Sequence, residues 1–262
     1  MMMQRWHVDQ RLARVELDRF SAIASPLNPA AGLSNARVDG FELLGFQTLE
    51  VELPIAAQPV AQQGATPNDL AAVDFYVRGD DLIATYSDQP APAMRTQIYW
   101  RANDPQPAEV AAAIELVVSV QTSRLDSCPH LTTRSECLAT EAYRLVDAEN
   151  ATFGSIVPLP DFSELVDEDG LPQCFLFRLP GRQFSYVEMV HPAAAAQSTW
   201  EGWLNGLDFR MQLRHQLFFD SLEKGVILRA RVLGLLVDRR HDKVLAAQRW
   251  LSFLASEVPL TT

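Results

Sequence analysis

The chain has 262 residues, of which 48% are hydrophobic and 21% are charged, and its formal net charge is −11. This composition is that of an ordinary globular protein; it excludes wholesale disorder, and no apolar run is long enough to cross a membrane. The negative charge disfavours non-specific binding to nucleic acid or to an anionic lipid surface. We therefore expect neither a nucleic-acid partner nor a membrane partner for this acidic protein.

The cysteines and the N-terminus predict a cytoplasmic protein. Cys128, Cys137 and Cys174 cannot all pair with one another, and a sparse, odd set favours reduced thiols. The first residues, from Met1 to Trp6, are not followed by the apolar segment of a signal peptide. We interpret the N-terminus as untargeted.

Alternation of apolar and polar residues with a period of two predicts strands along most of the chain. Two tight turns predict hairpins, at Gly79-Asp80 within residues 73–86 and at Pro180-Gly181 within residues 174–191. Further strands are predicted from the same alternation or from β-branched residues, over residues 12–20, 46–55, 94–101 and 113–122. The total is about ten to fourteen strands.

A long hairpin is predicted between residues 209 and 239, where two alternating stretches flank a turn that ends at Gly225. If Phe219 pairs with Val226, every apolar position meets another apolar position. The opposite face of this hairpin then collects a set of arginines and glutamines: Arg210, Gln212, Arg214, Gln216, Arg229 and Arg231.

One C-terminal segment has a helical pattern instead. An aspartate stands in the N-cap place at Asp242, and Pro259 follows the segment. These signals predict a helix over about residues 242–257 that packs on a sheet through Leu251 and Leu254. A second, shorter helix is predicted over residues 135–146.

The strand pattern predicts an all-β, mainly antiparallel fold. So many strands need two packed sheets or a closed barrel to hide their edges, and we predict a large two-sheet sandwich or super-sandwich. We expect one domain over residues 1–262 that includes the C-terminal helix.

The predicted architecture resembles the super-sandwich of galactose-mutarotase-like proteins in chain length, hairpin density and the long C-terminal hairpin. In that family a pair of histidines and a glutamate act on a sugar ring, so the resemblance implies a saccharide ligand.

The predicted arginine and glutamine face is the main candidate binding site. Guanidinium and amide groups suit carboxylates, sulfates and sugar hydroxyls. Arg214 beside Arg231 would require a counter-anion, which either a ligand or neighbouring carboxylates would supply. Trp203, in a predicted glycine-containing loop with Trp200, is suited either to stacking on a sugar or to packing over the sandwich end. The candidate ligand-binding residues are Arg214, Arg229, Arg231, Gln216 and Trp203.

Three residues are candidates for catalysis. Glu188 shares a strand face with Tyr186 and Val190, an apolar setting that suits a general acid. His191 falls on the opposite face of that strand and cannot pair with Glu188 there. His215 is the only polar residue on the apolar face of its strand, a position typical of a hydrogen-bonded core histidine.

Motifs for a metal or a cofactor are missing from the sequence. Cys128, His130 and Cys137 lack the paired spacing and the fourth ligand of a zinc site, so we predict no metal. The chain also has no G-x-S-x-G, no glycine-rich phosphate loop, no H-E-x-x-H and no dinucleotide fingerprint, so we predict no cofactor.

Two functions remain open at this point. The first is a carbohydrate-binding protein that binds or acts on a saccharide or another anionic small molecule through the arginine and glutamine face. The second is a noncatalytic protein-interaction or assembly module. The sequence decides neither whether the protein is an enzyme nor its oligomeric state.

Overall fold

The computed structural model describes residues 4–53, 72–87, 94–156, 162–165, 171–181, 183–205, 208–219 and 221–257. These residues form nineteen strands and one α-helix, with short 3-10 turns at Pro29–Ala31 and Arg239–His241. The pairing between the described strands is antiparallel throughout. The predicted all-β, antiparallel fold with a C-terminal helix is confirmed.

The strands are named here in chain order. They are β1 Trp6–Asp9, β2 Leu12–Glu16, β3 Phe20–Ala24, β4 Leu33–Val38, β5 Phe41–Glu42, β6 Gln47–Glu52, β7 Ala72–Arg78, β8 Asp81–Ser87, β9 Met94–Ala102, β10 Val110–Thr122, β11 Leu131–Ala139, β12 Glu141–Asp147, β13 Thr152–Ile156, β14 Phe162–Leu165, β15 Cys174–Arg178, β16 Phe184–Val190, β17 Ala195–Asn205, β18 Asp208–Leu217 and β19 Ile227–Asp238. The helix α1 spans Asp242–Ala255.

Two large sheets pack face to face. In the described residues the first sheet has the order β1-β2-β3-β4-β6-β11-β18-β17-β14, with β5 beside β4, and the second has the order β13-β12-β15-β16-β19-β10-β9-β8-β7. Large apolar side chains from both sheets, such as Trp6, Trp100 and Phe175, are fully buried in the core. Each inner face is apolar because period-two alternation sends every second side chain toward the other sheet.

Helix α1 covers one half of the outer face of the second sheet, where it contacts β15, β16 and β19. It begins at Asp242, the predicted start, but the N-cap is His241 and not Asp242. The predicted contact residues are wrong, since Leu251 and Leu254 are 44% and 38% exposed. The buried stripe instead contains Trp250 and Phe253. These two aromatic side chains bury more apolar area than the two leucines and therefore set which face of the helix meets the sheet.

The predicted hairpin between residues 209 and 239 is wrong, because its two strands belong to different sheets. Strand β18 lies between β11 and β17 in the first sheet, and β19 lies between β16 and β10 in the second. Phe218 has a φ of 62°, which turns the chain out of β18, and Leu222 then pairs with Ser127 on the way to the second sheet. Alternation determines which side chains share a face but not which strand lies alongside, so Arg214 and Arg231 are not neighbours.

Two further predictions of local structure are wrong. Residues 135–146 form parts of β11 and β12 instead of a helix, and the segment that contains Trp200 and Trp203 is part of β17 instead of a loop. Both segments pair with neighbouring strands on two sides, and this pairing outweighs the local sequence preferences. Within the described residues, no helix has both the length and the apolar character needed to cross a bilayer.

Candidate functional site

The half of the second sheet that α1 leaves uncovered carries a polar row on its outer face. The strand register places Arg229, Ser119, Gln97, Thr85 and Asp74 side by side across β19, β10, β9, β8 and β7. Their chain neighbours on these strands include apolar side chains buried between the sheets. Burial of that apolar set therefore aims the polar set at the outer surface.

A cavity of about 360 Å³ lies on this row, and we call it the cationic cavity. Arg229 enters it from β19, Arg95, Gln97 and Tyr99 from β9, and Arg78 from β7. An adjoining cavity of about 640 Å³ extends over β7 and β8. A volume of this order is in the range of small-molecule sites.

Positive charge in the cationic cavity is not neutralised by the described residues. In that part of the chain, Arg78, Arg95 and Arg229 have no carboxylate within 4.0 Å. The Nε atom of Arg229 is also buried, with no hydrogen-bond partner there. An unpaired guanidinium in a partly buried position attracts an anion more strongly than one in bulk water.

The remaining arginines of the same outer face have acidic partners. Arg101 Nε donates a hydrogen bond to Asp81 Oδ1 at 2.7 Å, and Arg231 Nε donates one to Glu115 Oε1 at 2.5 Å. Excess positive charge on this face is therefore concentrated at the cationic cavity. This local charge opposes the negative field of the whole chain.

Gln97 and Tyr99 are held in place by hydrogen bonds at the floor of the cavity. Gln97 Nε2 donates to Thr85 Oγ1 at 3.2 Å, and the Tyr99 hydroxyl donates to Gln97 Oε1 at 3.3 Å. Burial raises the pKa of Tyr99, as does Tyr76, and the charges of Arg78 and Arg229 oppose this rise only in part. Tyr99 is therefore a neutral hydrogen-bonding group at neutral pH.

The structure divides the predicted ligand-binding residues between the outer faces of the two sheets. Arg229 lines the cationic cavity, and Arg231 lies on the same face with its donors occupied by Glu115 and by the end of α1. Arg214, Gln216 and Trp203 lie on the first sheet, where Arg214 Nε donates to Gln212 Oε1 at 2.7 Å.

The sequence reasoning missed Arg78, Arg95, Gln97 and Tyr99 as site residues. A signal for three of them was present, because alternation along the predicted strand 94–101 places Arg95, Gln97 and Tyr99 on one face. The residue that links this face to Arg229 is Ser119, which pairs with Gln97 on one side and with Arg229 on the other. Alternation alone does not identify that pairing.

The catalytic candidate His191 lies at the end of β16 on the outer face, beneath α1. Its ring meets the Phe253 ring edge-on, with 5.7 Å between the centroids, and its Nδ1 accepts a hydrogen bond from the Ala193 amide at 3.3 Å. Burial, and then the charge of Arg231, lower the pKa of His191. His191 is therefore neutral at physiological pH and lies outside the cationic cavity.

Glu188 and His215, the other two catalytic candidates, meet in the core between the sheets. His215 Nε2 is 2.9 Å from Glu188 Oε1, and His215 Nδ1 is 2.7 Å from Ser198 Oγ. The second carboxylate oxygen accepts hydrogen bonds from Ser135 Oγ at 2.5 Å and from the Tyr186 hydroxyl. The order serine, histidine, carboxylate is that of a catalytic triad, but all five side chains are buried, so the arrangement joins the sheets and does not reach a substrate.

The described residues contain no group of three or more His, Cys, Asp or Glu side chains placed to hold a metal ion. The cysteines are unpaired: Cys128 is exposed, and Cys137 and Cys174 are buried. Burial raises the pKa of both buried thiols well above its ordinary value. These two thiols are core residues without nucleophilic character at neutral pH.

Comparison with known proteins gives matches in structure but not in sequence. No family model matches the chain, and no curated protein matches it. A candidate mutarotase, YeaD of Salmonella typhimurium, has a TM-score of 0.53 at 10% identity, over 87% of this chain and 90% of that chain. The fold is that of a galactose-mutarotase-like sandwich. The GH36 α-galactosidase AgaB of Geobacillus stearothermophilus matches with a TM-score of 0.50 at 8% identity, over 90% of this chain and 41% of that chain.

Proposed function

We propose that the protein binds an anionic saccharide in the cationic cavity. The observation that carries the proposal is that Arg78, Arg95 and Arg229 line one cavity without a carboxylate partner among the described residues. A guanidinium group forms paired, charge-assisted hydrogen bonds with a carboxylate or a sulfate. Such a group on a sugar would offset part of the positive charge in the cavity.

The other residues of the cavity suit a sugar ring. The amide groups of Gln97 and Gln121 offer both donors and acceptors, which a ring with several hydroxyls requires. Ile227 and the Tyr99 ring supply apolar surface for the C–H faces of the ring. The sugar-related names of the two structural neighbours support the same class of ligand.

We also infer that binding takes place in the cytoplasm. All three cysteines are free, including the exposed Cys128. Free thiols fit a reducing compartment.

The experiment is calorimetric titration with glucuronate and galacturonate, with glucose as the neutral comparison. Each charge-assisted hydrogen bond is worth about 1.5–3 kcal/mol, so Arg229→Ala should weaken uronate binding by about 10-fold or more. The matched control is Arg210→Ala on the first sheet, where Arg210 pairs with Glu136 at 2.9 Å, and it should leave binding unchanged. Equal affinity of the wild type and Arg229→Ala for uronates, or no binding of uronates and sulfated sugars at millimolar concentration, would overturn the proposal.

A further inference from the structure

The cationic cavity and the adjoining cavity share a wall. Arg95, Gln97 and Gln121 line both of them. Alternate residues of a strand are about 6.6 Å apart, so the spacing along β9 from Tyr99 to Gln97 to Arg95 is comparable to the spacing of neighbouring rings in an oligosaccharide. One ligand with two linked rings can therefore occupy both cavities.

The adjoining cavity differs from the cationic cavity in its chemistry. Besides the shared Arg95, its lining includes the hydroxyl groups of Thr85 and Ser87 and one side chain of each charge, Asp74 and Lys224, which form no ion pair within the described part of the chain. Tyr76 also lines it, and this side chain is 43% exposed. Hydroxyls and a carboxylate bind sugar hydroxyls, and an exposed aromatic ring stacks on a sugar face. The opposite charges of Asp74 and Lys224 offset each other, so beyond the shared Arg95 this lining has no excess positive charge that favours a second anion.

The two cavities therefore favour different rings. Resting on the proposed function, we infer that the ligand is an acidic oligosaccharide of at least two rings, with a uronate ring in the cationic cavity and a neutral ring in the adjoining cavity. The shared residue Arg95 lies between the rings, and Asp74 offsets the charge of Lys224, so the adjoining cavity has no net cationic group of its own for a second uronate. The charge asymmetry sets the direction in which the oligosaccharide lies across the sheet.

Linking the two rings increases the affinity. The loss of translational and rotational freedom on binding is incurred once for the whole disaccharide, so the contacts of the second ring add to the affinity directly. We expect an aldobiouronic acid, glucuronate linked to glucose, to bind at least about 10-fold more tightly than glucuronate alone. Cellobiose, which has no carboxylate, should bind more weakly than either.

The test compares these three probes by calorimetry on the wild type and on two classes of variant. Tyr76→Ala and Asp74→Asn should lower the affinity for the aldobiouronic acid by about 5-fold or more and leave glucuronate binding unchanged, because only the second ring meets these residues. Arg229→Ala should weaken the binding of both acidic probes. Phe41→Ala, which removes an exposed ring from the first sheet, is the matched control and should change neither.

The outcomes separate the inference from the proposed function. Equal affinity for glucuronate and the aldobiouronic acid, with Tyr76→Ala silent, would overturn the two-ring inference while Arg229-dependent uronate binding still stood. A diuronate that binds as tightly as the aldobiouronic acid would overturn the assignment of a neutral second ring. Failure of every acidic probe to depend on Arg229 would overturn both.

Discussion

His215 Nε2 lies 2.9 Å from Glu188 Oε1, although the two residues belong to different sheets. Their side chains are 0% and 1% exposed. Hydroxyl groups of Ser198, Ser135 and Tyr186 complete the hydrogen bonding of the pair. This contact stabilises the packing of the two sheets. Loss of either partner would leave the other polar group unpaired in an apolar core, which lowers the free energy of unfolding.

Replacing either partner of this pair should destabilise the protein strongly. We expect Glu188→Leu and His215→Leu each to lower the free energy of unfolding by about 3–5 kcal/mol, since each leaves a buried partner unsatisfied. The double variant should cost less than the sum of the singles, with a coupling energy of about 1–3 kcal/mol. Urea denaturation of the four proteins measures this cycle.

The exposed pair of His7 and Glu16, 3.9 Å apart, provides the control cycle. Its coupling energy should be below about 0.5 kcal/mol because solvent screens the interaction. Additive effects of the Glu188 and His215 variants would contradict the role assigned to the buried pair.

Gly234 leaves room for the Tyr186 hydroxyl beside that pair. A Cβ atom at position 234 would lie 3.0 Å from the Tyr186 hydroxyl and 3.3 Å from Leu49 Cδ1. Gly234→Ala should therefore overpack the core and lower the free energy of unfolding, measured by urea denaturation, by about 1–3 kcal/mol. Gly154→Ala, where the nearest contact would be Val146 Cγ2 at 3.4 Å, should be neutral or slightly stabilising. Equal effects of the two substitutions would argue against a packing constraint at Gly234.

Glu50 should make stability depend on pH. Burial raises the pKa of Glu50 from 4.5 to about 7, and the hydrogen bond and charge of Arg134 oppose this only in part. Between about pH 4.5 and pH 7 the folded protein keeps a proton that the unfolded chain has lost, so stability falls as the pH rises through this window. Above about pH 7 the folded protein has also lost the Glu50 proton, so the contribution of this proton to the free energy of unfolding is gone.

The measurement is the free energy of unfolding of wild type and Glu50→Gln across this window. The wild type should lose stability relative to Glu50→Gln between pH 4.5 and pH 7, and the difference should level off above that range. Glu52→Gln, on the same strand, is the control and should follow the wild type. Parallel curves for wild type and Glu50→Gln would refute the prediction.

Arg231 and Glu115 form a buried ion pair that also holds the end of α1. Both side chains are 6% exposed, and Arg231 Nη1 donates to the carbonyls of Ser256 and Glu257. Arg231→Met should lower the free energy of unfolding by about 3 kcal/mol or more, because Glu115 then remains buried without this partner. It should also speed hydrogen exchange in the last turn of α1.

The same substitution in an exposed ion pair tests the role of burial. Arg210 is 52% exposed and pairs with Glu136 at 2.9 Å. Because solvent screens this pair, Arg210→Met should lower the free energy of unfolding by less than about 1 kcal/mol. Unchanged exchange at the end of α1 in Arg231→Met would contradict the anchoring role.

Local sequence features determined the class of the fold. Gly79 and Gly181 have positive φ angles in the two turns that their residue types predict, and Asp242 begins the helix. Turn conformation, strand alternation and helix initiation depend on a residue and its near neighbours, so they can be recognised in the chain alone. The antiparallel two-sheet sandwich followed from the number and spacing of these elements.

Only the tertiary structure decided which strands lie side by side, and therefore where the candidate site is. Arg229 was expected beside Gln216 but lies with Arg78 and Arg95, more than 130 positions earlier in the chain. His215 and Glu188 were considered separately, and packing of the two inner faces brings them into contact. Alternation is conserved when a strand moves to another sheet, so the same sequence pattern is compatible with several pairings, and burial of the complete apolar set selects one of them.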